Sequence, residues 1–290
     1  MSRPKPEAVG LVAHRDRPQA RELAARAAEW LDERGVVVRV PAADADAIGL
    51  GPLASGDDDS FAAGLDVVIS LGGDGTMLRT LDMVFESGVA VLGVNVGHMG
   101  YLTEVEPAEL DDRLERLLSG DYEIVERMVL EVEVTSGGPG GGRWWALNEA
   151  VLEKVRTGRM ARLAVDINGT PFTTYAADGV IVATPTGSTA YSFSVRGPIV
   201  SPRHRCLVLT PVSPHMLFDR SLVLDPDEEL CFRVEDDRSV ILTLDGQVLG
   251  ELDAGDMVRC TGGRRPARVV TFGERDFHQI LKAKFGLADR

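Results

Sequence analysis

The residue types best suited to chemistry stand in one short run, Gly72-Gly73-Asp74-Gly75-Thr76. The run follows the apolar segment 67–71, which predicts a buried strand, and a helical pattern begins at Met77. Glycines let a backbone approach a phosphate closely, and a carboxylate between them could orient a hydroxyl, accept its proton or hold a magnesium ion. A plain strand-to-helix turn has the same composition, so the run alone leaves both interpretations open. Neither the Walker A nor the Gly-x-Gly-x-x-Gly pattern occurs, so phosphate binding here would be of another kind.

Two further segments offer polar or aromatic groups next to predicted strands. The loop 93–101 contains three glycines and ends at Tyr101, which could lie beside a base or simply belong to the core. Asn148-Glu149 follows the segment 144–147, and an amide with a carboxylate suits an adenine edge and ribose hydroxyls. An ordinary polar strand end would look the same.

The segment from Asp178 to Ser194 is the most unusual in composition. The apolar strand 180–183 is followed by six serine and threonine side chains within 184–194. Such side chains can surround a polar ligand with short donors and acceptors, although a solvated loop is the alternative.

The first part of the chain alternates strand and helix patterns. Continuous apolar runs predict buried strands, and a long amphipathic pattern predicts a helix between the first two. The predicted strands are 8–13, 36–40, 65–71 and 89–94, and the predicted helix is 19–34. These elements predict a doubly wound α/β domain, with ligands at the carboxyl ends of its strands.

From about residue 120 the pattern changes to β-rich. Residues 130–135 alternate apolar and polar, and Asn168-Gly169 is a hairpin signal. We therefore predict an N-terminal α/β domain over 1–125 and an all-β domain, a C-terminal β-sandwich, over 126–270. Residues 276–287 have helical spacing, and the segment 271–290 is expected to pack back on the first domain.

Charge and cysteine content narrow the class of protein. The formal net charge of −14 disfavours nucleic acids and anionic membranes as partners. The three cysteines show no Cys-x-x-Cys pair, and the start of the chain has no signal-peptide pattern, so a cytoplasmic location is expected. The histidines show no metal-ligand spacing, so no metal-ligating residue is assigned.

Taken together, these segments resemble the NAD kinase family, which phosphorylates the 2′-hydroxyl of the adenosine ribose of NAD to make NADP. The glycine run is shared with diacylglycerol kinases, sphingosine kinases and phosphofructokinases, whereas residues 184–191 combined with Asn148-Glu149 are more selective. The matching segments are 72–76, 93–102, 147–149, 178–194, 197–199, 214–215 and 245–247.

The resemblance implies that Asp74 accepts the proton of the ribose hydroxyl. It also implies an α/β domain followed by a β-sandwich, a homodimer or homotetramer, a divalent cation such as Mg²⁺, and ATP or polyphosphate as phosphate donor. The nucleotide-binding residues that it implies in the first domain are Gly72, Gly73, Gly75, Thr76, Arg79 and Tyr101. Those in the second are Asn148 and Glu149 for adenosine, Asp178 and Ser194 toward nicotinamide, Thr189, Ala190 and Tyr191 between them, and Arg159 and Gln247 nearby.

The sequence differs from the family pattern at two positions, and two alternative functions fit part of the same pattern. Ala176 stands where several relatives have an arginine at a subunit contact, and Arg196 replaces a small residue and could meet a phosphate or solvent. The shared glycine run also fits a lipid kinase, and a non-catalytic dinucleotide sensor would keep the same binding residues.

Overall fold

The computed structural model describes residues 3–55, 60–97, 100–135, 141–156, 158–235, 239–274 and 276–287. The acidic run 57–59, His98 and most of the glycine-rich connection 137–142 lie outside these ranges. The chain divides into two compact units, one of Met1–Glu126 with Ala267–Arg290 and one of Arg127–Pro266.

The elements follow one another along the chain in an α/β order and then in a β-rich order. The helices are α1 (Pro18–Asp32), α2 (Ala42–Ala45), α3 (Asp74–Val84), α4 (Leu110–Ser119), α5 (Tyr191–Ser194) and α6 (Phe277–Phe285), with short 3₁₀ turns at Gly51–Leu53, Pro107–Glu109 and Gly187–Thr189. The strands are β1 (Ala8–Ala13), β2 (Val37–Arg39), β3 (Val67–Gly72), β4 (Ala90–Asn95), β5 (Glu123–Arg127), β6 (Leu130–Thr135), β7 (Gly142–Ala146), β8 (Glu149–Lys154), β9 (Ala161–Ile167), β10 (Thr170–Ala177), β11 (Gly179–Ala183), β12 (Leu207–Val212), β13 (Leu222–Leu224), β14 (Leu230–Val234), β15 (Val240–Leu244), β16 (Gln247–Leu252), β17 (Met257–Gly262) and β18 (Ala267–Thr271).

The first unit is built on one sheet of order β2-β1-β3-β4-β18-β5, in which β1, β2, β3, β4 and β18 pair in parallel. On one face, Ile69 and its neighbours pack with α1 and α4. On the other face, Ser70 of β3 accepts a hydrogen bond from Thr80 of α3 at 3.0 Å. Because helices cover both faces, β3 and β4 are buried along their whole length, and the prediction of a doubly wound α/β domain is confirmed.

The second unit contains two antiparallel sheets, of order β10-β9-β14-β17-β6-β7 and β13-β12-β11-β8-β15-β16. Both sheets contribute to one core, in which Leu163 and Phe232 of the first sheet are buried with Leu152 and Val182 of the second. This arrangement confirms the predicted β-sandwich. Asn168 and Gly169 have φ of 52° and 73° and join β9 to β10 as the sequence predicts, because such a two-residue hairpin turn requires positive φ.

Helix boundaries differ from the prediction at α1, which spans Pro18–Asp32 and not 19–34, and at the start of α3. The pattern suggested a helix from Met77, but α3 begins at Asp74 with Gly73 as its N-cap. An acidic residue in the first helical turn is favoured by the helix dipole, which apolar periodicity does not reveal. No helix in the described ranges combines the length and the hydrophobicity that a membrane crossing requires.

Candidate functional site

Asp74 lies where the central strand β3 ends and α3 begins. Gly73, in extended conformation, turns the chain from the strand into the helix. The aspartate therefore lies at the carboxyl edge of the parallel sheet, where ligands bind in open α/β folds. It borders a cleft of about 620 Å³. The cleft is lined by His14, Arg15, Asp16, Arg17, Gly73, Asp74, Gly75, Thr76, Arg79 and Gly100.

Backbone amides fix the carboxylate of Asp74. The N–H of Tyr101 donates to Oδ2 at 2.9 Å, and the N–H of Leu102 donates to Oδ1 at 3.0 Å. Each carboxylate oxygen has two lone pairs, so each keeps one for a further donor. The half-buried acid is thus held in one orientation at the edge of the cleft.

The three glycines of the run 72–76 have different roles. A Cβ on Gly72 would lie 2.2 Å from Oγ1 of Thr76, so glycine at this position lets the helix start pack on the strand end. A Cβ on Gly73 or Gly75 would meet nothing within 4 Å. The glycines that leave room for a ligand are therefore Gly73 and Gly75, whereas Gly72 serves packing.

Tyr101 was predicted to lie either beside a base or in the core, and its position has features of both. Its hydroxyl is buried and has no hydrogen-bond partner within the described residues. The Nζ of Lys284, from α6, lies 3.8 Å from the ring centroid. Burial, and secondarily the charge of Asp74, raise the pKa of Tyr101. The ring is thus half-buried beside the catalytic candidate, with a lysine from the end of the chain on its face.

Arg79 is held beside the cleft by a residue that sequence reasoning missed. Its Nη2 lies 2.8 Å from Oδ2 of Asp44 and donates to the carbonyl of Ala13 at 3.1 Å. Asp44 lies on α2 and is almost completely buried. The cleft residues Arg15 and Arg17 were also missed, although their position directly after β1, at the carboxyl edge of a predicted parallel sheet, was an available signal.

In the second unit, Asp245 organises the segment that contains Asn148 and Glu149. Its Oδ2 accepts the N–H of Leu147 at 2.7 Å, and its Oδ1 accepts those of Asn148 at 2.7 Å and Glu149 at 3.0 Å. Sequence reasoning gave Asp245 no role. Its signals were its place in the matching segment 245–247 and just before the turn that leads to Gln247.

Glu149 lies at the start of β8 and is only 6% exposed. Burial, and then repulsion from Asp245, raise its pKa to about 8, while a hydrogen bond from the backbone of Tyr191 opposes the shift. Its Oε2 is buried without a partner within the described residues. At neutral pH this side chain is mostly a neutral carboxyl group, which can donate as well as accept a hydrogen bond.

The serine and threonine side chains of 184–194 mainly hold their own loop together. Thr184 donates to the carbonyl of Leu147 at 2.5 Å, and Ser188 donates to that of Pro185 at 2.7 Å. Ser192 is buried and pairs with Thr210. These three hydroxyls therefore have partners within the protein, as short hydroxyl side chains often do. That the segment surrounds a polar ligand stays a prediction.

The same loop brings Tyr191 against β8. Its hydroxyl donates to Oε1 of Glu153 at 2.5 Å, and this bond, followed by burial, raises the pKa of Tyr191 to about 12. Asp178, between β10 and β11, forms an ion pair with Lys154. Glu153 and Lys154 were not predicted, since nothing local marks two charged residues at a strand end as site residues.

The remaining predicted residues of this unit are less enclosed. Thr189 ends the 3₁₀ turn and donates to the carbonyl of Thr186, and Ala190 is half-buried after it. Ser194 and Gln247 are exposed. Arg159 lines a cavity of about 150 Å³, with Lys154, Arg156, Ser239 and Glu251 among its neighbours. Arg196 is exposed, with a φ of 68°.

Family models match both parts of the chain in sequence. Residues 54–122 match the ATP-NAD kinase N-terminal domain, and residues 147–272 match the ATP-NAD kinase C-terminal domain. The NAD kinase of Heliobacterium modesticaldum is 41% identical over 277 residues, covering 95% of this chain and 97% of the relative. The NAD kinase of Thermobifida fusca is 39% identical over 288 residues, covering 96% and 88%.

Solved structures share the fold. Yeast NADH kinase, solved in complex with NADH, superposes with a TM-score of 0.90 at 26% identity and covers 99% of this chain and 89% of its own. An NAD kinase from Archaeoglobus fulgidus, solved with ATP, has a TM-score of 0.72 at 24% identity and covers 96% of each chain. At that identity the second likeness concerns the fold alone.

Proposed function

Because the chain belongs to the NAD kinase family, we propose that it transfers the terminal phosphate of ATP to the 2′-hydroxyl of the adenosine ribose of NAD. The chain is a phosphotransferase of the kinase type. Neither a lipid kinase nor a dinucleotide sensor finds support among the relatives. What remains to be assigned is the work of individual residues.

We assign proton acceptance to Asp74. The ribose oxygen forms a bond to the terminal phosphorus, the bond between that phosphorus and the bridging oxygen breaks, and the nucleoside diphosphate leaves. The hydroxyl proton passes to the carboxylate of Asp74. This assignment rests on the two hydrogen bonds that the backbone N–H groups of Tyr101 and Leu102 donate to the carboxylate. They hold the acid at the cleft, and each carboxylate oxygen keeps a lone pair that can accept a proton.

The start of α3 supplies electrostatic stabilisation. The N–H groups of its first turn and the positive end of its dipole suit a phosphate group, and Gly73 and Gly75 leave space for one. Most catalysis of phosphoryl transfer comes from positioning and from neutralising charge on phosphate oxygens. Thr76 and Arg79, which also line the cleft, would contribute to the same binding region.

A magnesium ion fits this region as a companion of the donor. Among the described residues, no group of three or more histidine, cysteine, aspartate or glutamate side chains could hold a metal. Mg²⁺ is commonly bound through one or two carboxylates together with substrate phosphates, and Asp74 offers such a carboxylate. When bound, the ion would neutralise charge on the phosphate chain.

We propose the second unit as the dinucleotide-binding domain. Asn148 and Glu149 would bind the adenosine part, and the neutral carboxyl group of Glu149 could donate a hydrogen bond to it. Asp178 and Ser194 would reach toward nicotinamide. The other residues proposed to line this site are Thr189, Ala190, Tyr191, Arg159 and Gln247.

Three broader properties are also proposals. Polyphosphate is a candidate alternative donor, because the cleft at α3 would bind phosphate groups rather than a base. A homodimer or homotetramer is expected, and exposed valines on the two edge strands of one sheet, Val223 of β13 and Val248 of β16, are candidate contacts. The expected location is the cytoplasm.

Substitution of Asp74 tests the assignment. D74N should retain the fold and NAD binding but lose most NADP formation in a coupled dehydrogenase assay, about 10²-fold or more. The matched control is D82N, which removes an exposed carboxylate from the same helix and should keep turnover. Comparable turnover in D74N and the wild type would refute proton acceptance by Asp74.

A further inference from the structure

The cleft beside Asp74 is also lined by the loop between β1 and α1, which carries charged side chains. Arg15 in this loop and Arg79 on α3 both line the cleft, and both contact Asp44. We call these three residues the arginine clamp. Neither Arg15 nor Asp44 has a role in the function proposed above.

Asp44 holds both guanidinium groups. Its Oδ1 accepts from Nε of Arg15 at 2.6 Å and from Nη1 of Arg79 at 3.0 Å, and its Oδ2 lies 2.8 Å from Nη2 of Arg79. The side chain of Asp44 is only 1% exposed, whereas those of Arg15 and Arg79 are 50% and 32% exposed. A buried anion thus positions two cations that remain open to solvent at the cleft.

The clamp has more binding capacity than its own ion pairs use. One arginine would neutralise Asp44, so the second leaves a net positive charge. Two guanidinium groups carry ten N–H donors between them, and one carboxylate has about four lone-pair sites. Both arginines therefore retain N–H groups for an anion, and planar guanidinium groups match phosphate oxygens well.

Together with Asp44, the charged residues of the cleft are three arginines and three aspartates, so the clamp would act through the placement of its N–H groups and not through a net charge of the cleft. Arg17 donates to the carbonyl of Val96, so it ties the loop to the segment after β4. Asp16 is exposed and Asp74 is held by amides. In a chain of net charge −14, two arginines positioned by a buried carboxylate beside a helix N-terminus form a local anion site.

We propose that the arginine clamp binds the phosphates of the donor that are not transferred, with Arg15 and Arg79 as ligands and Asp44 as the residue that positions them. This inference rests on the proposed function for the identity of the donor. The recognised group is a linear phosphoanhydride chain, which a nucleoside triphosphate and inorganic polyphosphate share.

The first test separates donor binding from turnover. R15Q should raise KM for ATP about 10-fold, in line with the loss of one charge-assisted hydrogen-bonded contact, while KM for NAD and kcat at saturating ATP change little. R15K should recover part of the loss. The matched control R26Q removes an exposed arginine that pairs with Asp111 on the surface of the same unit, and it should leave every constant unchanged. An unchanged KM for ATP in R15Q would overturn the proposal.

The second test needs no turnover. Calorimetric titration with tripolyphosphate should show binding to the wild type and about 10-fold weaker binding to R15Q. Equal binding to both would overturn the proposal, as would a defect with ATP and none with tripolyphosphate, because the clamp would then recognise the nucleoside. If the wild type formed no NADP and R15Q still bound tripolyphosphate more weakly, the proposed function would fail and the anion site would stand.

Asp44 requires a separate variant because it is buried. D44N keeps the shape of the side chain and should raise KM for ATP without changing KM for NAD. A purely structural role would instead lower the unfolding temperature and leave both KM values unchanged. If D44N does not fold, R15Q and R15K still decide the proposal.

Discussion

Gly100 provides a precise test of whether the position of the Asp74 carboxylate matters for turnover. A Cβ at position 100 would lie 2.1 Å from Oδ1 and 2.8 Å from Cγ of Asp74, and 2.8 Å from Oγ1 of Thr103. The φ of Gly100 does not lie in the positive region. G100A therefore introduces a steric conflict with the carboxylate without backbone strain of its own.

The size of the effect follows from the geometry. Non-bonded heavy atoms prefer separations of about 3.5 Å, so the carboxylate or the backbone at 100–102 must move by about 1 Å. A displacement of about 1 Å at a reacting group can reduce turnover about 10²-fold, equivalent to about 2.7 kcal/mol in the activation free energy. The acid itself is retained, so this loss would come from position alone.

The assay is steady-state NADP formation with both substrates varied, together with thermal unfolding of each variant. We expect kcat to fall about 10²-fold in G100A while the protein remains folded. The matched control is G250A, since a Cβ at Gly250 meets nothing within 4 Å and no positive φ opposes it. If G100A keeps kcat within about threefold of the wild type, the reasoning about a fixed carboxylate is wrong.

The other predictions concern the carboxyl groups of the second unit. D245N leaves one carbonyl oxygen for three backbone donors, so we expect the free energy of unfolding in urea to fall by about 2–4 kcal/mol. An unchanged unfolding midpoint would contradict this expectation. For Glu149, the folded-state pKa of about 8 exceeds the ordinary value of 4.5, so the unfolded chain loses its proton first as pH rises. The free energy of unfolding of the wild type relative to E149Q should therefore be highest below pH 4.5, fall by a few kcal/mol up to about pH 8 and level off above it. A constant difference across this range would contradict the buried neutral carboxyl group.

The fold was largely predictable because its strongest signals are local. The segments 8–13 and 89–94 are apolar without interruption, and 67–71 has Ser70 as its one polar residue, as expected of strands covered on both faces. The turn at Asn168-Gly169 was predictable because few residue pairs adopt positive φ at two successive positions. In each case the residues that determine the structure are neighbours in sequence.

The supporting carboxylates were not predictable for the opposite reason. Asp44 contacts Arg15 and Arg79, which are 29 and 35 residues away, and Asp245 binds backbone groups 96 to 98 residues away. In the sequence, Asp44 is one of two aspartates in the segment 41–50 and resembles a surface residue. Only the tertiary structure distinguishes a buried carboxylate that orders its neighbours from an exposed one.

Asp74 and Asp245 have the same kind of hydrogen bonding to backbone N–H groups, and this affects how the activity of Asp74 variants is interpreted. Each aspartate accepts the N–H groups of successive residues, Tyr101 and Leu102 in one case and Leu147 to Glu149 in the other. An asparagine at position 74 has one carbonyl oxygen, so one of its two amide donors would lose its acceptor. A defect in D74N therefore combines loss of the proton acceptor with loosening of the segment at 101–102. G100A disturbs the same segment and keeps the acid. If D74N is much more defective than G100A, the difference reports the chemical role of the carboxylate, and if the two are equal, positioning accounts for the whole effect.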